Sequence, residues 1–251
     1  MRSKPKSNRT REKKVDRRRE KRELIANPVD YTVPPQHVLS VVAKPEVMPL
    51  RALNAAQGQY LASIIANTIT FCVGPQGTGK SFIAAAYAAD QLKLGLINKL
   101  IITRPVIEAG RNMGPVPGDI AEKYAPFMAP FNAILEERLG KTFFEYLKKT
   151  GRITATPLEF MRGATFDNSL VILDEAQNAT KEQLTMFLTR IGKDTKLIID
   201  GSITQRDIKN SGLEFVMNRL QSVNSIAKVE FTLDDIVRNG IIREILINLQ
   251  E

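Results

Sequence analysis

Gly74-Pro75-Gln76-Gly77-Thr78-Gly79-Lys80-Ser81 stands between an apolar run, Ile69-Thr70-Phe71-Cys72-Val73, and an Ala-rich segment from Phe82 to Leu92. The order is strand, glycine loop, helix, the setting in which a G-x-x-x-x-G-K-[ST] match has physical meaning. Glycines let the backbone bend so that successive N–H groups face one anion. The start of the following helix adds free N–H groups and the positive end of its dipole. In such a loop Gly74, Pro75, Gln76, Gly77, Thr78 and Gly79 wrap a triphosphate and Lys80 reaches its β- and γ-phosphates. The Ser81 hydroxyl is a ligand for Mg²⁺. The stretch predicts a bound nucleoside triphosphate with Mg²⁺.

Working outward, apolar strand-length runs alternate with helical segments. Asn54 to Asn67 reads as a helix whose apolar face is Tyr60, Leu61, Ile64 and Ile65. Lys99 to Thr103, Ile153 to Ala155, Leu170 to Leu173, Leu197 to Ile199 and Val229 to Phe231 read as strands, most of them apolar throughout, as strands buried on both faces are. Helical segments are expected from Ile120 to Leu147, interrupted near Pro126 and Pro130, with a short one at Pro157 to Arg162 and another from Lys181 to Ile191. Such alternation gives an α/β fold with a mostly parallel sheet and helices on both faces.

A carboxylate at the carboxyl end of a neighbouring strand completes a nucleotide site in sheets of this kind. Leu170-Val171-Ile172-Leu173-Asp174-Glu175 supplies it. The apolar residues bury the strand, Asp174 at its tip is placed to hold the metal shell, and Glu175 is placed to polarise the attacking water. The Ala176-Gln177-Asn178 that follows makes this segment more specific than an apolar run ending in acids.

Composition narrows the remaining choices. Of the chain's 251 residues, 43% are hydrophobic, enough for a sizeable core. No run of eighteen apolar residues suits a membrane span, and the basic N-terminus lacks the apolar stretch of a secretory signal. Cys72 is the only cysteine, which excludes an internal disulfide and suits a reducing, cytoplasmic setting. His37 is the only histidine and lies among prolines, so no histidine-based metal or acid–base cluster is available. The formal charge of +9 resides in one place: Met1 to Arg22 hold twelve Lys/Arg against three Asp/Glu, and the remainder is balanced at 24 of each. A polybasic arm of this kind either contacts nucleic acid phosphates through counterion release or is a solvated tail. The expected organisation is a basic flexible tail at 1–25, a Pro-rich extended connector at 26–49, and one ATPase domain at 50–251.

Three longer stretches resemble a known family. Arg104-Pro105-Val106-Ile107-Glu108-Ala109-Gly110-Arg111-Asn112-Met113-Gly114-Pro115-Val116-Pro117-Gly118-Asp119, Pro157 to Gly163 and Ile172 to Asn178 are similar to motifs of the PhoH family of P-loop ATPases. That family is named for a bacterial protein induced by phosphate starvation and is frequent in bacteriophages. The resemblance implies a P-loop NTPase with one RecA-like domain, similar in core to superfamily-one helicases. It also implies ATP hydrolysis directed at RNA or single-stranded nucleic acid, in a homo-oligomeric ring such as a hexamer.

The resemblance assigns further residues. Gln57 matches a glutamine that reads adenine through its paired amide donor and acceptor; the alternative is a solvated glutamine at a helix start. Gln205 matches the glutamine of a G-D-x-x-Q motif that senses the γ-phosphate. Here that motif is Gly201-Ser202-Ile203-Thr204-Gln205, with Ser202 in place of Asp and an aspartate one residue before the glycine, Asp200. Arg238, in Asp234-Asp235-Ile236-Val237-Arg238-Asn239, matches an arginine that completes an ATP site, and is expected to act across a subunit interface. Arg104, Arg111, Asn112 and Lys123 lie where helicase-like proteins contact a nucleic acid strand; a packing or connecting loop is the alternative. Phe143, Phe144 and Tyr146 offer a stacking platform, though their helical spacing favours core packing. A phosphotransferase, or a non-catalytic nucleotide sensor, would use the same loop.

Overall fold

The computed structural model describes residues 49–105, 120–203, 208–238 and 240–249. The basic tail, most of the Pro-rich connector with His37, the loop holding Arg111 and Asn112, and Gln205 lie outside the described residues, as does the side chain of Lys123.

The described chain begins with α1 (Ala55–Ala66), capped by the Asn54 side chain, which accepts from the Gln57 N–H. Strand β1 (Ile69–Val73) then leads through the glycine loop into α2 (Lys80–Leu94), and β2 (Lys99–Thr103) follows. Next come α3 (Ile120–Leu139), α4 (Lys141–Lys149) and β3 (Ile153–Ala155). The second half holds β4 (Ser169–Leu173), α5 (Lys181–Leu188), β5 (Lys196–Gly201), α6 (Leu213–Arg219), β6 (Ile226–Glu230) and α7 (Ile241–Leu249). The six strands form one sheet in the order β3-β2-β4-β5-β1-β6, and all of its pairings are parallel.

Side-chain alternation along the strands sorts the core into two layers. Phe71, Val73, Val171, Leu173, Leu197 and Ile199 face the layer holding Leu184 and Phe187 of α5 and Leu213, Val216 and Met217 of α6. Cys72, Leu100, Ile102, Ile172 and Ile198 have the opposite parity. They are buried with Tyr60 and Ile64 of α1 and the Ala84 to Ala89 run of α2. The alanines let α2 lie close to the sheet. Both faces are therefore covered, as the apolar strands require.

Several local expectations change. The helical region after residue 120 breaks at Gly140, whose φ is +79°, not at its prolines; Pro126 and Pro130 sit inside α3. Both are exposed, so their rings occupy the solvent side of the helix. Ile65, expected on the apolar face of α1, is 58% exposed; the buried residues of that helix are Gln57, Tyr60 and Ile64. Strand β6 starts at Ile226 and ends at Glu230, earlier than expected, since Ile226 and Ala227 pair with Ile69 and Thr70. Phe143 and Phe144 are buried core residues, and Tyr146 stacks beside Phe143 at 6.4 Å between ring centroids.

The strand carrying Asp174 is not the hydrogen-bonded neighbour of β1, as the sequence suggested. Strand β5 lies between them. This insertion brings a third strand tip, Asp200-Gly201-Ser202, into the space between the glycine loop and the acidic pair.

Candidate nucleotide site

Three parallel strands end together at one edge, and their loops enclose a cleft of about 680 Å³. Gly74, Gln76, Gly77, Gly79, Lys80 and Ser81 form one wall, with Asp174, Glu175, Asp200 and Ser202 opposite and Arg104 and Arg238 also facing it. A cleft of this size and polarity is of the kind that holds a small ligand.

The loop's conformation follows from its glycines. Gly74, Gly77 and Gly79 take φ values of +148°, +84° and +86°. Gly79 is the residue just ahead of α2, and the Thr78 hydroxyl donates to the Pro75 carbonyl at 3.0 Å to close the turn. The loop is fixed to the sheet on both sides: the Gly74 N–H donates to the Gly201 carbonyl at 3.2 Å and the Phe231 N–H to the Val73 carbonyl at 2.8 Å.

Lys80 lies inside this turn. Its ammonium donates to the Gly74 and Pro75 carbonyls at 2.9 and 2.7 Å, and to the Thr78 hydroxyl at 3.3 Å. Burial pushes its pKa down, while the charges of Asp200, Glu175 and Asp174 act against that shift. The carboxylates opposite therefore help keep the lysine charged.

Asp174 follows β4, with its N–H bonded to the Thr103 carbonyl at 2.8 Å. The Ser81 hydroxyl donates to Asp174 Oδ1 at 3.4 Å, across 93 residues of sequence. Burial, then the charge of Glu175, raise the Asp174 carboxyl to about 6, and Arg104 and Ser81 partly offset this. Ser81 and Asp174 fit a divalent cation: they are two hard oxygen donors, and burial and Glu175 together outweigh Arg104 at the carboxylate, so added positive charge would favour its ionised form. No group of three or more His, Cys, Asp or Glu side chains suited to a metal occurs among the described residues. Two protein ligands suit Mg²⁺, which keeps waters and phosphate oxygens in its shell.

Glu175 has a left-handed backbone, φ +53° and ψ +39°, costly for a residue with a Cβ. Arg104 Nη2 lies 3.9 Å from Glu175 Oε1, and the guanidinium sits over the Phe127 ring at 4.7 Å from its centroid. Gln177 donates to the other oxygen, Glu175 Oε2.

Asp200 is 1% exposed and accepts from the Tyr60 hydroxyl through Oδ1, while Oδ2 has no partner among the described residues. Burial dominates and raises its carboxyl to about 7. Strand register sets Asp200 beside Cys72, whose thiol burial also pushes well up. Cys72 is thus a buried packing residue, as its place in β1 indicated.

Gln57 is buried at 2% exposure, not solvated. Its Nε2 donates to the Thr78 carbonyl at 2.9 Å, and its Oε1 accepts from the Leu53 N–H at 2.8 Å. One amide hydrogen and one lone pair remain for any ligand. Arg238 lies over its own chain's glycine loop: a Cβ on Gly77 would meet the Arg238 Cδ at 3.5 Å, and the Val237 N–H donates to the Gly77 carbonyl at 3.1 Å. Within one chain, the segment after β6 thus sets Arg238 beside its own cleft, against the expectation of an arginine reaching into another subunit's site.

Among the sequence-derived residues, the structure gathers Gln57, the loop from Gly74 to Ser81, Asp174, Glu175 and Arg238 at one site. Three contributors escaped sequence reading. From the sequence, Tyr60 has only an apolar role, Arg104 only a contact with a nucleic acid strand, and Gln177 only a place in a motif. An amide side chain two residues after an acid is the one available signal for Gln177.

A family model described as PhoH-like protein matches residues 49–250. The chain is 40% identical over 206 residues to Protein PhoH of Escherichia coli strain K12, covering 80% of this chain and 58% of that protein. It is 40% identical over 200 residues to a PhoH-like protein of Bacillus subtilis strain 168, covering 78% and 63%. The chain thus spans under two thirds of the length of these relatives. Among solved structures, it is similar to the UvsW helicase of bacteriophage T4 at 13% identity and a TM-score of 0.46, covering 82% of this chain and 67% of that one.

Proposed function

The chain belongs to the PhoH-like family, and from that premise we propose that it binds ATP with Mg²⁺ and hydrolyses it, as an ATPase acting on RNA or single-stranded nucleic acid. The observation that carries this reading is the approach of Ser81 to Asp174, with Glu175 in the same cleft. The loop N–H groups and Lys80 bind the triphosphate. Ser81 and Asp174 would hold Mg²⁺, which would supply neutralisation of the phosphate charge.

Glu175 takes a proton from the attacking water as its oxygen bonds to the γ-phosphorus. The bond from that phosphorus to the β–γ bridging oxygen breaks, and ADP leaves with the electron pair. Arg238 neutralises charge spreading onto the γ-phosphoryl oxygens. Gln205 is assigned the γ-phosphate sensor on the family motif alone.

The nucleic acid reading is supported by the polybasic first 22 residues and by Arg104 stacked on Phe127 beside the cleft. A homo-oligomeric ring, such as a hexamer, belongs to the same proposal. Leu53, Phe82 and Phe127 leave 74%, 43% and 46% of their surfaces exposed around the cleft, apolar area that a neighbouring copy would cover. No described helix is long and apolar enough to cross a membrane, and the single reduced cysteine supports a cytoplasmic site of action.

Steady-state phosphate release by wild type, Lys80→Ala and Glu175→Gln, with and without single-stranded RNA or DNA, tests the reading. Each variant is expected to lose about a hundredfold or more in turnover, and the wild-type rate to rise with nucleic acid. Phosphate found on an acceptor instead of in solution would turn the reading to a phosphotransferase. Wild-type turnover already as low as that of Glu175→Gln would turn it to a nucleotide sensor.

A further inference from the structure

Gln177 lies in the single 3₁₀ turn (Ala176–Asn178) after the acidic pair and is 4% exposed. Its amide is used at both ends. Nε2 donates to Glu175 Oε2, and Oε1 accepts from the Ser202 N–H at 2.9 Å. The residue before Ser202 has no room for a side chain. A Cβ on Gly201 would meet Leu213 Cδ2 at 2.7 Å, Gln177 Oε1 at 3.0 Å and the Gln177 N at 3.2 Å. Gly201 in turn accepts the Gly74 N–H at the start of the glycine loop. One line of hydrogen bonds therefore runs from the loop, through the tip of β5 and the Gln177 amide, to the Glu175 carboxylate.

The Glu175 carboxylate needs such a hold. Its backbone is left-handed, and its other oxygen faces Arg104 at 3.9 Å. With Gln177 removed, the ion pair with Arg104 would draw the carboxylate toward Phe127 and the cleft wall. A buried amide satisfied at both ends has few alternative orientations, because turning it would set donor against donor and leave two buried groups unpaired. Its orientation is fixed by Ser202, whose backbone N–H can only donate.

We propose that Gln177 is the positioning residue for Glu175: it fixes the carboxylate against the tip of β5, so that the base's aim depends on where Gly201 and Ser202 stand. The assignment rests on the hydrolytic reading of the site. It also gives Ser202 a role that its hydroxyl does not supply, since the bond to Gln177 comes from the backbone. The serine in place of aspartate at 202 leaves this coupling intact.

Two variants separate positioning from packing. Gln177→Met keeps the length and removes both bonds. Gln177→Glu keeps an acceptor for the Ser202 N–H and removes the donor to Glu175. Both are expected to lower kcat for ATP hydrolysis by about 10- to 100-fold, with KM and the affinity for a non-hydrolysable ATP analogue within about twofold of wild type. Introduced into Glu175→Gln, Gln177→Met is expected to change the residual single-turnover rate little, because its target is already gone. A loss in Gln177→Met equally large with and without Glu175, or one shared by kcat and analogue affinity, would show a packing role and overturn the proposal. Turnover by both single variants at the wild-type rate would overturn it too, while the hydrolytic reading stood if Glu175→Gln remained inactive. If Glu175→Gln itself turns over normally, the hydrolytic reading fails first and is distinguished on that variant alone.

Discussion

Gln57 donates its side-chain amide to the Thr78 carbonyl at 2.9 Å, joining the first turn of α1 to the glycine loop. Its oxygen is held by the Leu53 N–H, and a Cβ on Gly79 would lie 2.7 Å from Gln57 Nε2. The amide therefore braces the loop from behind. Gln57→Ala would leave the Thr78 carbonyl and the Leu53 N–H without this partner, at a cost of about 1–3 kcal/mol in stability. Affinities for ATP and GTP are expected to fall together, their ratio changing by no more than about threefold. Equilibrium titration with both nucleotides checks this. A selective loss of ATP binding would mean that the remaining amide hydrogen and lone pair read adenine after all.

Asp200 gives a pH signature. Its folded carboxyl is raised to about 7 by burial, against about 3.9 for an unfolded aspartate. Between those values the folded chain keeps a proton that the unfolded chain has released. The group's contribution is therefore fully present below pH 4 and is lost as pH rises toward 7, by at most about 1.4 kcal/mol per pH unit. Asp200→Asn keeps an acceptor for the Tyr60 hydroxyl and removes the titration. The variant is expected to gain stability relative to wild type as pH rises from 4 to 7, and to hold that difference above 7. Urea melts of both proteins across that range measure it; a difference independent of pH would place the Asp200 pKa near its ordinary value.

The loop's first glycine makes a steric prediction. Gly74 has φ +148°, and a Cβ there would meet the Phe231 carbonyl oxygen at 2.5 Å and the Phe231 Cβ at 2.6 Å. Phe231 is itself fixed, since its N–H bonds the Val73 carbonyl and its ring packs edge-on against Tyr60. Gly74→Ala is expected to cost about 2 kcal/mol or more, through backbone strain and overpacking together. That corresponds to a fall in Tm of roughly 4–8 °C. Gly95→Ala is the control, with φ +74° and nothing within 4 Å of the added methyl, and should cost less. Equal losses in the two variants would show that the contact with Phe231 is relieved at little cost.

Much of this arrangement was legible in the chain because its signals are local. The glycine loop, the apolar strands and the acidic pair each announce themselves within eight residues, and the parallel sheet follows from their alternation. What stayed hidden depends on pairings over long separations. Nothing in Leu197-Ile198-Ile199 says that it lies between β1 and β4, yet that insertion delivers Asp200 and Ser202 to the cleft. Tyr60 is at home on an apolar face, and only the fold shows its hydroxyl meeting a carboxylate 140 residues away. The prolines of α3 misled because propensity weighs an interior proline as a break, whereas both occupy the solvent side. Helices α6 and α7 were not anticipated; α6 has seven residues, too few for the helical period to stand out.

The placement of Arg238 separates two kinds of site. An arginine supplied by another subunit would let two defective chains repair each other in a mixed assembly, because one chain's intact loop would meet its neighbour's intact arginine. Here the segment after β6 brings Val237 and Arg238 onto Gly77 of the same chain. Lys80→Ala and Arg238→Ala therefore damage one and the same pocket when combined in a single chain, and two separate pockets when the variants are mixed. Arg238→Ala alone is expected to lose about a hundredfold in turnover. An equimolar mixture of Lys80→Ala and Arg238→Ala, co-refolded or exchanged to equilibrium, should hydrolyse ATP no faster than the average of the two variants measured apart. Recovery of a sizeable part of wild-type turnover in the mixture would mean that the arginine leaves its own cleft in the assembled protein and completes that of a neighbour.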